Sequence, residues 1–193
     1  MDQFSRVAKK YVDKGLIAGL EWEIRHFNNV VSKDVYGYSD IENKTILKPG
    51  QIYRIYSMTK PIVSVAAIRL IEACKLSLYS TVQEFIPSFK YLKVIRSDGE
   101  LERLKRPITL ADLLTHTAGL SYNFNMGCSV AQFYQQENIL NDSDISLEEM
   151  VDKIATLPLA FQPGEAWRYS VATDVIGRLL EVVENKKLDD ILR

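Results

Sequence analysis

A serine and a lysine three positions apart are the first residues of this 193-residue chain that could carry out chemistry. Ser57-Met58-Thr59-Lys60 is the only Ser-x-x-Lys segment in the sequence. On a helix this spacing brings both side chains to one face. A lysine with a lowered pKa can then accept the serine proton or tune the group that does. The pair is therefore a candidate for acyl transfer. Chance supplies such a spacing about once at this composition, so an N-cap serine beside a surface lysine is the alternative.

The elements predicted around this pair place Ser57 at the beginning of a helix. The β-branched and aromatic run at 51–56 is typical of a strand, and an apolar stripe predicts a long helix over 58–75. Pro61 is tolerated only in the first turn of a helix, so this helix must begin close to Ser57. At that position the helix dipole favours negative charge developing on a reacting oxygen.

Helices and short strands are predicted along the rest of the chain, and one long polar loop separates them. The loop, 121–145, is rich in Asn, Ser, Tyr and Gln, and loops of this length are usually functional or disordered. The other predicted elements are a helix over 2–15 capped by Asp2, a hairpin with strands at 20–27 and 30–38 around Asn28-Asn29, an exposed hairpin within 90–106, a helix with a Thr109/Asp112 capping box that ends at Gly119, a helix with a Ser146/Glu149 capping box, a helix around Val175–Val183 and a last helix from Leu188.

Composition and charge exclude several classes of protein. With 24 basic and 25 acidic residues, the net charge of −1 provides no field to attract nucleic acid. No apolar run approaches the roughly 18–20 residues that span a bilayer. The two cysteines have neither metal-ligand spacing nor a disulfide framework: Cys74 continues an apolar stripe and is predicted to lie in the core, and Cys128 lies in the polar loop. No cofactor or metal is expected, and with no secretory signal a cytoplasmic location is the default.

Three blocks of sequence, in this order, resemble the penicillin-recognising serine hydrolases, which include class C β-lactamases, DD-peptidases and related esterases. The first block is Ser57-Met58-Thr59-Lys60. The second runs from Thr109 to Leu120 and reads TLADLLTHTAGL, and the third runs from Gln162 to Ser170 and reads QPGEAWRYS. The order and spacing of the blocks match this family along nearly the whole chain.

The resemblance implies an α+β, β-lactamase/transpeptidase-like fold, with an antiparallel sheet flanked by helices and a helical region. It implies Ser57 as the nucleophile, Lys60 as the partner that lowers its proton affinity, and Tyr169 as the general base. A phenol titrates near pH 10 in water, so Tyr169 can be a base near neutrality only if a cation such as Lys60 stabilises the phenolate. His116 is expected to hold a turn, since no Asp is positioned to orient it as a triad histidine.

One departure from the family pattern concerns the substrate. The second motif of the β-lactamases and peptidases is Tyr-x-Asn, whereas this chain has Tyr169-Ser170-Val171. Valine cannot form the hydrogen bonds of the asparagine amide to Lys60 and to a substrate amide. An aliphatic residue here resembles the esterase and acyltransferase branch. The expected substrate is therefore a small ester, with an amide such as a β-lactam or a peptide as the alternative.

The third motif of the family has no match after Tyr169. We therefore expect 1–193 to be the N-terminal portion of one longer hydrolase domain, with the helix and first strands in 1–56 and a mostly helical part in 57–193. Such a portion is expected to be inactive alone. A non-catalytic binding or assembly scaffold is a second interpretation, and acyl transfer to an alcohol or amine, with the loop 121–145 shaping acceptor access, is a third. The sequence makes no prediction of the oligomeric state.

Overall fold

The computed structural model of the protein describes residues 3–125, 127–140 and 144–193. The chain divides into two compact units, Met1–Ile55 and Tyr56–Arg193. Each unit has its own packing and is described separately.

The first unit is a helix followed by a three-stranded antiparallel sheet. Helix α1 covers Gln3–Asp13, and strands β1 (Gly19–His26), β2 (Asn29–Asp40) and β3 (Thr45–Ile46) pair in the order β1-β2-β3. The predicted helix and hairpin are confirmed. The proposed cap at Asp2 lies outside the described residues.

The β1–β2 turn lies one residue earlier than the sequence indicated. His26 pairs with Asn29, so Phe27 and Asn28 form the two-residue loop, with φ of 46° and 65°. Two successive positive φ values define the turn type whose twist matches that of paired strands, and Asn tolerates this conformation. The Asn at position 28 therefore supplies the turn chemistry, while Asn29 is already in β2.

The strand predicted at 51–56 is absent from the structure, and this prediction was wrong. Residues 51–55 have no regular secondary structure. Within this segment the Tyr53 hydroxyl donates to the Glu21 carboxylate at 3.1 Å. A β-branched run becomes a strand only when another strand receives its backbone hydrogen bonds. Within the described residues, no strand pairs with this segment.

The second unit is mostly helical and is built around one buried helix. Helix α7 (Ala172–Glu184) contacts helix α2 (Thr59–Glu72) and the shorter helices on its other sides. Its inward side chains are almost completely buried, as the apolar stripe predicted. The remaining elements of this unit are α3 (Val82–Phe85), β4 (Lys93–Ile95), β5 (Leu101–Arg103), α4 (Leu110–Leu114), α5 (Ala131–Gln136), α6 (Leu147–Ile154) and α8 (Leu188–Leu192).

Both predicted capping boxes are confirmed. Thr109 and Asp112 exchange side-chain and backbone hydrogen bonds at the start of α4, and Ser146 and Glu149 do the same at α6. These pairs satisfy backbone N–H groups that a helix leaves without partners in its first turn. Helix α4 ends at Leu114, five residues before the predicted end at Gly119, because His116 adopts a left-handed conformation with φ of 57°.

Three further expectations are corrected by the packing. The segment 121–145, predicted to be one long loop, contains helix α5, which buries Ala131 and Tyr134. Cys74, predicted in the core, is exposed, because α2 ends at Glu72 and the left-handed φ of 57° at Cys74 turns the chain off the apolar stripe. Cys128, placed in a polar loop, is buried beside the Ser121 hydroxyl.

Candidate active site

Ser57 lies in a single 3₁₀ turn, Tyr56–Met58, that leads directly into α2. Pro61 occupies the first turn of α2, where its missing N–H is not needed. The helix N-cap is Met58, and no side chain caps this helix. Ser57 is therefore not an N-cap serine. The preceding residue, Tyr56, has φ of 45°, a conformation rare for an aromatic residue and often found where a turn presents a reactive group.

The structure brings Ser57 and Tyr169 into direct contact. The Tyr169 hydroxyl donates a hydrogen bond to Ser57 Oγ at 2.7 Å, although 112 positions separate the two residues. Lys60 Nζ lies 4.7 Å from the centre of the Tyr169 ring. All three residues that the sequence singled out therefore form one cluster, with a hydroxyl, a phenol and an ammonium group within reach of each other.

Lys60 has a second phenol as its direct partner. Its Nζ donates to the Tyr122 hydroxyl at 2.9 Å, and the Tyr122 ring stacks on Phe124 with 4.6 Å between ring centres. The sequence analysis missed Tyr122. The only signal was its place, two residues after the TLADLLTHTAGL block and at the start of the segment flagged as functional. Val171, where the family's second motif carries Asn, is completely buried among apolar side chains.

The electrostatics of the cluster distinguish the roles open to Lys60 and shift the pKa values of the two phenols in opposite directions. Burial alone would lower the pKa of Lys60, but its interactions with Tyr122 and Tyr169 outweigh burial and raise it. Of the two roles that the spacing left open to Lys60, proton acceptor or tuning group, the raised pKa favours the second, since the group remains an ammonium ion near neutral pH. Burial raises the pKa of Tyr122 more than Lys60 lowers it. At Tyr169 the balance is reversed: the ionised phenolate can accept hydrogen bonds from Ser57 and Lys60 and is stabilised by the Lys60 charge, and together these outweigh burial and lower the pKa.

Tyr169 is held by backbone contacts with the segment that follows α4. Arg168 N donates to the His116 carbonyl at 2.9 Å, and Val171 N donates to the Ser121 carbonyl at 3.2 Å. Between them, Asn125 Nδ2 donates to the Tyr169 carbonyl at 3.0 Å. Asn125 was also missed by the sequence analysis, since it acts on the backbone of a residue 44 positions away. These three bonds hold the main chain at Tyr169 and on both sides of it.

His116 has the environment of a turn residue. Its Nδ1 lies 3.2 Å from Ser170 Oγ, and its ring packs 5.0 Å from the Tyr169 ring. Burial and the Lys60 charge lower its pKa, so the imidazole is neutral near pH 7. These contacts agree with the structural role expected for His116.

A cleft of about 470 Å³ lies at this cluster, entirely within the second unit. Ser57, Lys60, Tyr122 and Tyr169 are among the residues that line it. Asp174, in the first turn of α7, lines it as well, and burial raises the pKa of that carboxyl despite the Lys60 charge. The rest of the lining is largely apolar and consists of Val63, Phe124, Leu140, Leu147 and Leu188, together with Tyr56, Thr59 and Thr173.

Neither a metal site nor a membrane span is present in the part of the chain that the structure describes. No group of three His, Cys, Asp or Glu side chains there could hold a metal ion. None of the helices described is long and apolar enough to cross a bilayer.

Comparison with known proteins identifies the family. The Beta-lactamase family model matches residues 4–193, so the chain belongs to this family. The predicted β-lactamase-like α+β fold, with antiparallel sheets and helices, is thereby confirmed. Its members among the relatives define a class of serine hydrolases and acyltransferases.

Three relatives illustrate the range of this class. Protein Rv1367c of Mycobacterium tuberculosis is 31% identical over 188 residues, which are 95% of this chain and 46% of the relative. Esterase EstB of Burkholderia gladioli is 32% identical over 170 residues, 88% of this chain and 41% of the esterase. The solved structure of EstCE1, a hydrolase with promiscuous acyltransferase activity, superposes with a TM-score of 0.82 at 32% identity over 97% of this chain and 48% of EstCE1. The chain thus spans slightly less than half the length of these relatives.

Proposed function

We propose that the protein is a serine hydrolase that forms an acyl-enzyme on Ser57 and acts on small carboxylic esters. The observation that carries this proposal is the 2.7 Å hydrogen bond between the Tyr169 hydroxyl and Ser57 Oγ, beside the Lys60 ammonium group. A nucleophile, a base within hydrogen-bond reach and a third group that tunes the base are what nucleophilic catalysis requires. We further propose that both compact units belong to one hydrolase domain, since the family match runs through both.

In the proposed mechanism, Tyr169 is the base and Lys60 remains charged throughout. The Tyr169 phenolate accepts the Ser57 proton as Oγ attacks the ester carbonyl carbon, and the phenol then donates that proton to the leaving alkoxide. Water attacks the acyl-enzyme by the reverse sequence of proton transfers. Lys60 stabilises the phenolate, which explains why a raised lysine pKa and a lowered tyrosine pKa belong together. The Ser57 N–H at the start of α2 is a candidate donor to the oxyanion.

An ester is favoured over a β-lactam or a peptide because of residue 171. The buried Val171 side chain offers no amide to a substrate, and Lys60 uses the Tyr122 hydroxyl as its hydrogen-bond partner. The names of two relatives, an esterase and a hydrolase with acyltransferase activity, agree with this choice. Transfer of the acyl group to an alcohol is the second candidate, since the chemistry differs only in which hydroxyl attacks the acyl-enzyme.

Covalent labelling of the full-length protein tests the proposal. A fluorophosphonate should form an adduct on Ser57, located by peptide mass spectrometry, and Ser57→Ala should abolish it, whereas Ser64→Ala, at a serine in α2 outside the cluster, should not. Absence of an adduct would favour a non-catalytic scaffold. Kinetics then separate the substrates: p-nitrophenyl acetate should be hydrolysed with a higher kcat/KM than a cephalosporin, and the reverse order would refute the ester assignment.

A further inference from the structure

A second cleft, beside strands β4 and β5 of the second unit, is lined by positive charge. Its volume of about 520 Å³ is within the range of pockets that bind small molecules. The chain as a whole is close to neutral, so the charge is concentrated locally. A concave surface of one sign focuses its field and attracts counter-ions. None of the described residues that line this cleft carries a carboxylate, whereas five carry a positive charge: Lys90, Lys93, Arg103, Lys105 and Arg106.

Two of the five cations are held by carboxylates outside the cleft. Lys105 Nζ donates to the Glu165 carboxylate at 2.6 Å. Both terminal nitrogens of Arg106 donate to the Asp112 carboxylate. The other three cations have no ion pair and no side-chain hydrogen bond with any described residue: Lys90, Lys93 and Arg103. The cleft therefore keeps three positive charges that no described carboxylate compensates at ion-pair distance.

Two of these free cations lie directly opposite each other in a two-stranded sheet. Lys93 pairs with Arg103 across β4 and β5, and both residues are exposed. Like charges in this position destabilise a sheet. Glu102 does not relieve the repulsion, because it points to the other face of β5 and accepts from Gln162 Nε2 at 2.6 Å. Asp152 lines a neighbouring cleft with Lys93 but forms no ion pair with it. A bound anion would remove this repulsion.

The main chain that carries these cations is fixed by buried contacts. Gln162 is only 3% exposed, and it accepts from Lys105 N at 2.9 Å and donates to the Arg103 carbonyl at 3.1 Å. On β4, Leu159 N donates to the Lys93 carbonyl at 2.8 Å. An anion would therefore bind to strands that are already ordered, which lowers the entropic cost of binding.

We propose that this cleft binds a small ligand with a diphosphate group, which contacts Lys90, Lys93 and Arg103. Each phosphate group carries about −1.5 to −2 charges near neutral pH, so two groups match three uncompensated cations, whereas a carboxylate would match one. Arginine binds phosphate oxygens through two parallel hydrogen bonds, and lysine binds them as a point charge. The concave shape suits a small ligand better than the surface of a membrane. The proposed function does not enter this inference, since the cleft shares no lining residue with the cleft at Ser57.

Calorimetric titration of the full-length protein with sodium pyrophosphate tests the proposal. Binding should be observed at low ionic strength and should weaken as salt is added. Arg103→Gln and Lys93→Gln should each lower the affinity by about 10- to 100-fold, the effect of removing a hydrogen bond between charged groups. Arg96→Gln is the matched control, because it removes one positive charge from the same hairpin outside the cleft, and it should leave the affinity unchanged.

Titration with ADP distinguishes the two sources of a diphosphate group. Equal affinities for ADP and pyrophosphate would assign the site to the diphosphate alone, and a higher affinity for ADP would assign it to a nucleoside diphosphate. Either result supports the proposal, provided that Arg103→Gln weakens the binding.

Thermal unfolding without ligand gives a second measurement with the opposite sign. Arg103→Gln should raise the Tm by about 1–2 °C, because the repulsion from Lys93 is removed. A residue with a purely structural role would lower the Tm when replaced. Pyrophosphate should raise the Tm of the unsubstituted protein and should have less effect on Arg103→Gln. Lys90→Gln, which lies outside both strands, keeps the test decisive if Arg103→Gln does not fold.

Three outcomes would overturn the proposal. The first is a folded protein that binds neither pyrophosphate nor ADP at low ionic strength. The second is binding that the substitutions at Lys90, Lys93 and Arg103 all leave unchanged, since the anion would then lie elsewhere. The third is binding to vesicles that contain phosphatidic acid without binding to pyrophosphate, which would make a membrane surface the occupant. Fluorophosphonate labelling of Ser57 should be the same in all of these variants, so failure here leaves the proposed function untouched.

Discussion

Two phenols interact with one ammonium group in the candidate site, and their surroundings shift their pKa values in opposite directions. Tyr122 accepts a hydrogen bond from Lys60, yet burial raises its pKa. Tyr169 is less enclosed, and hydrogen bonds from Ser57 and Lys60 to its phenolate form, together with the Lys60 charge, lower its pKa. Such a separation assigns the base role to one phenol and leaves the other protonated near neutral pH.

This separation predicts a bell-shaped dependence of kcat/KM on pH. Activity should rise as pH increases through the lowered pKa of Tyr169, because the phenolate forms, and should fall through the raised pKa of Lys60, because the stabilising charge is lost. Lys60→Met should return the Tyr169 pKa toward its ordinary value of about 10 and move the rising limb to higher pH. Lys75→Met, which removes an exposed lysine paired with Glu184, is the control. An unmoved rising limb in Lys60→Met would exclude Tyr169 as a base tuned by Lys60.

The hydroxyl of Tyr122 is predicted to position Lys60, a role that Val171 cannot perform. Tyr122→Phe keeps the ring against Phe124 but removes the acceptor of the 2.9 Å hydrogen bond. A hydrogen bond to a charged group contributes about 1.5–3 kcal/mol, so kcat/KM should fall by about 10- to 100-fold. The rising limb of the pH profile should also shift upward. Tyr79→Phe, at an exposed tyrosine, should change neither quantity, and a Tyr122→Phe protein with an unchanged profile would refute the positioning role.

Helix α4 has a capping arrangement in which one carboxylate has several partners. The Asp112 carboxylate accepts from Thr109 N at 2.9 Å and from both terminal nitrogens of Arg106 at 2.6 and 2.8 Å. Burial opposes its ionisation, but these donors outweigh burial and lower the pKa of Asp112. The result is an anchored helix start immediately before the turn that carries His116.

Asp112→Asn should therefore destabilise the protein in a way that depends on pH. The folded pKa lies below the unfolded value of about 4, so the stabilisation is complete above pH 4 and is lost as pH falls through the folded pKa. We expect the free energy of unfolding to fall by about 2 kcal/mol at pH 7. The difference from the unsubstituted protein should shrink below pH 4, measured by urea unfolding. Asp189→Asn, at an exposed carboxylate, is the control, and a pH-independent loss in Asp112→Asn would argue against the linkage.

Across the second unit, the backbone crossing at Gly119 connects the segment after α4 to the segment before Tyr169. Gly119 O accepts from Ala160 N at 2.8 Å, and Gly164 N donates to the Thr117 carbonyl at 2.8 Å. A Cβ at Gly119 would lie 2.4 Å from the Phe161 carbonyl oxygen, and its φ is 84°. This close approach sets the path along which the chain returns to place Tyr169 against Ser57.

Gly119→Ala is therefore predicted to affect both stability and the active cluster. Gly127→Ala is a matched control, because its φ of 78° carries the same backbone strain while nothing lies within 4 Å of its Cβ. Backbone strain alone costs about 1–2 kcal/mol. The free energy of unfolding of Gly127→Ala should therefore fall by about that much, and the variant should still be labelled by a fluorophosphonate on Ser57. In Gly119→Ala the free energy of unfolding should fall further, and Ser57 should be labelled more slowly. Equal decreases in the free energy of unfolding and equal labelling rates in both variants would show that the close backbone approach at Gly119 has no role of its own.

The elements that sequence analysis predicted correctly are those with local signals. The capping boxes at Thr109 and Ser146, the helix start near Pro61 and the apolar stripe of α7 each depend on residues within a few positions of one another. Helix α5 and the burial of Cys128 were missed, since both depend on packing against distant residues. The three candidate residues came from a spacing and from a resemblance to a family whose model matches the chain.

The sequence alone determined the set of reactive groups and the local elements that carry them. These groups are a serine and a lysine at one helix start and a tyrosine 112 positions from the serine. Only the tertiary structure decided which phenol each group meets, and with it the sign of every pKa shift in the cluster. It also decided that 51–55 lacks a strand partner among the described residues and that Cys74 is exposed. The physical reason is how far apart along the sequence the interacting residues lie. Caps and helix stripes are made by neighbours along the chain, whereas desolvation and charge interactions depend on atoms that only the folded chain brings together.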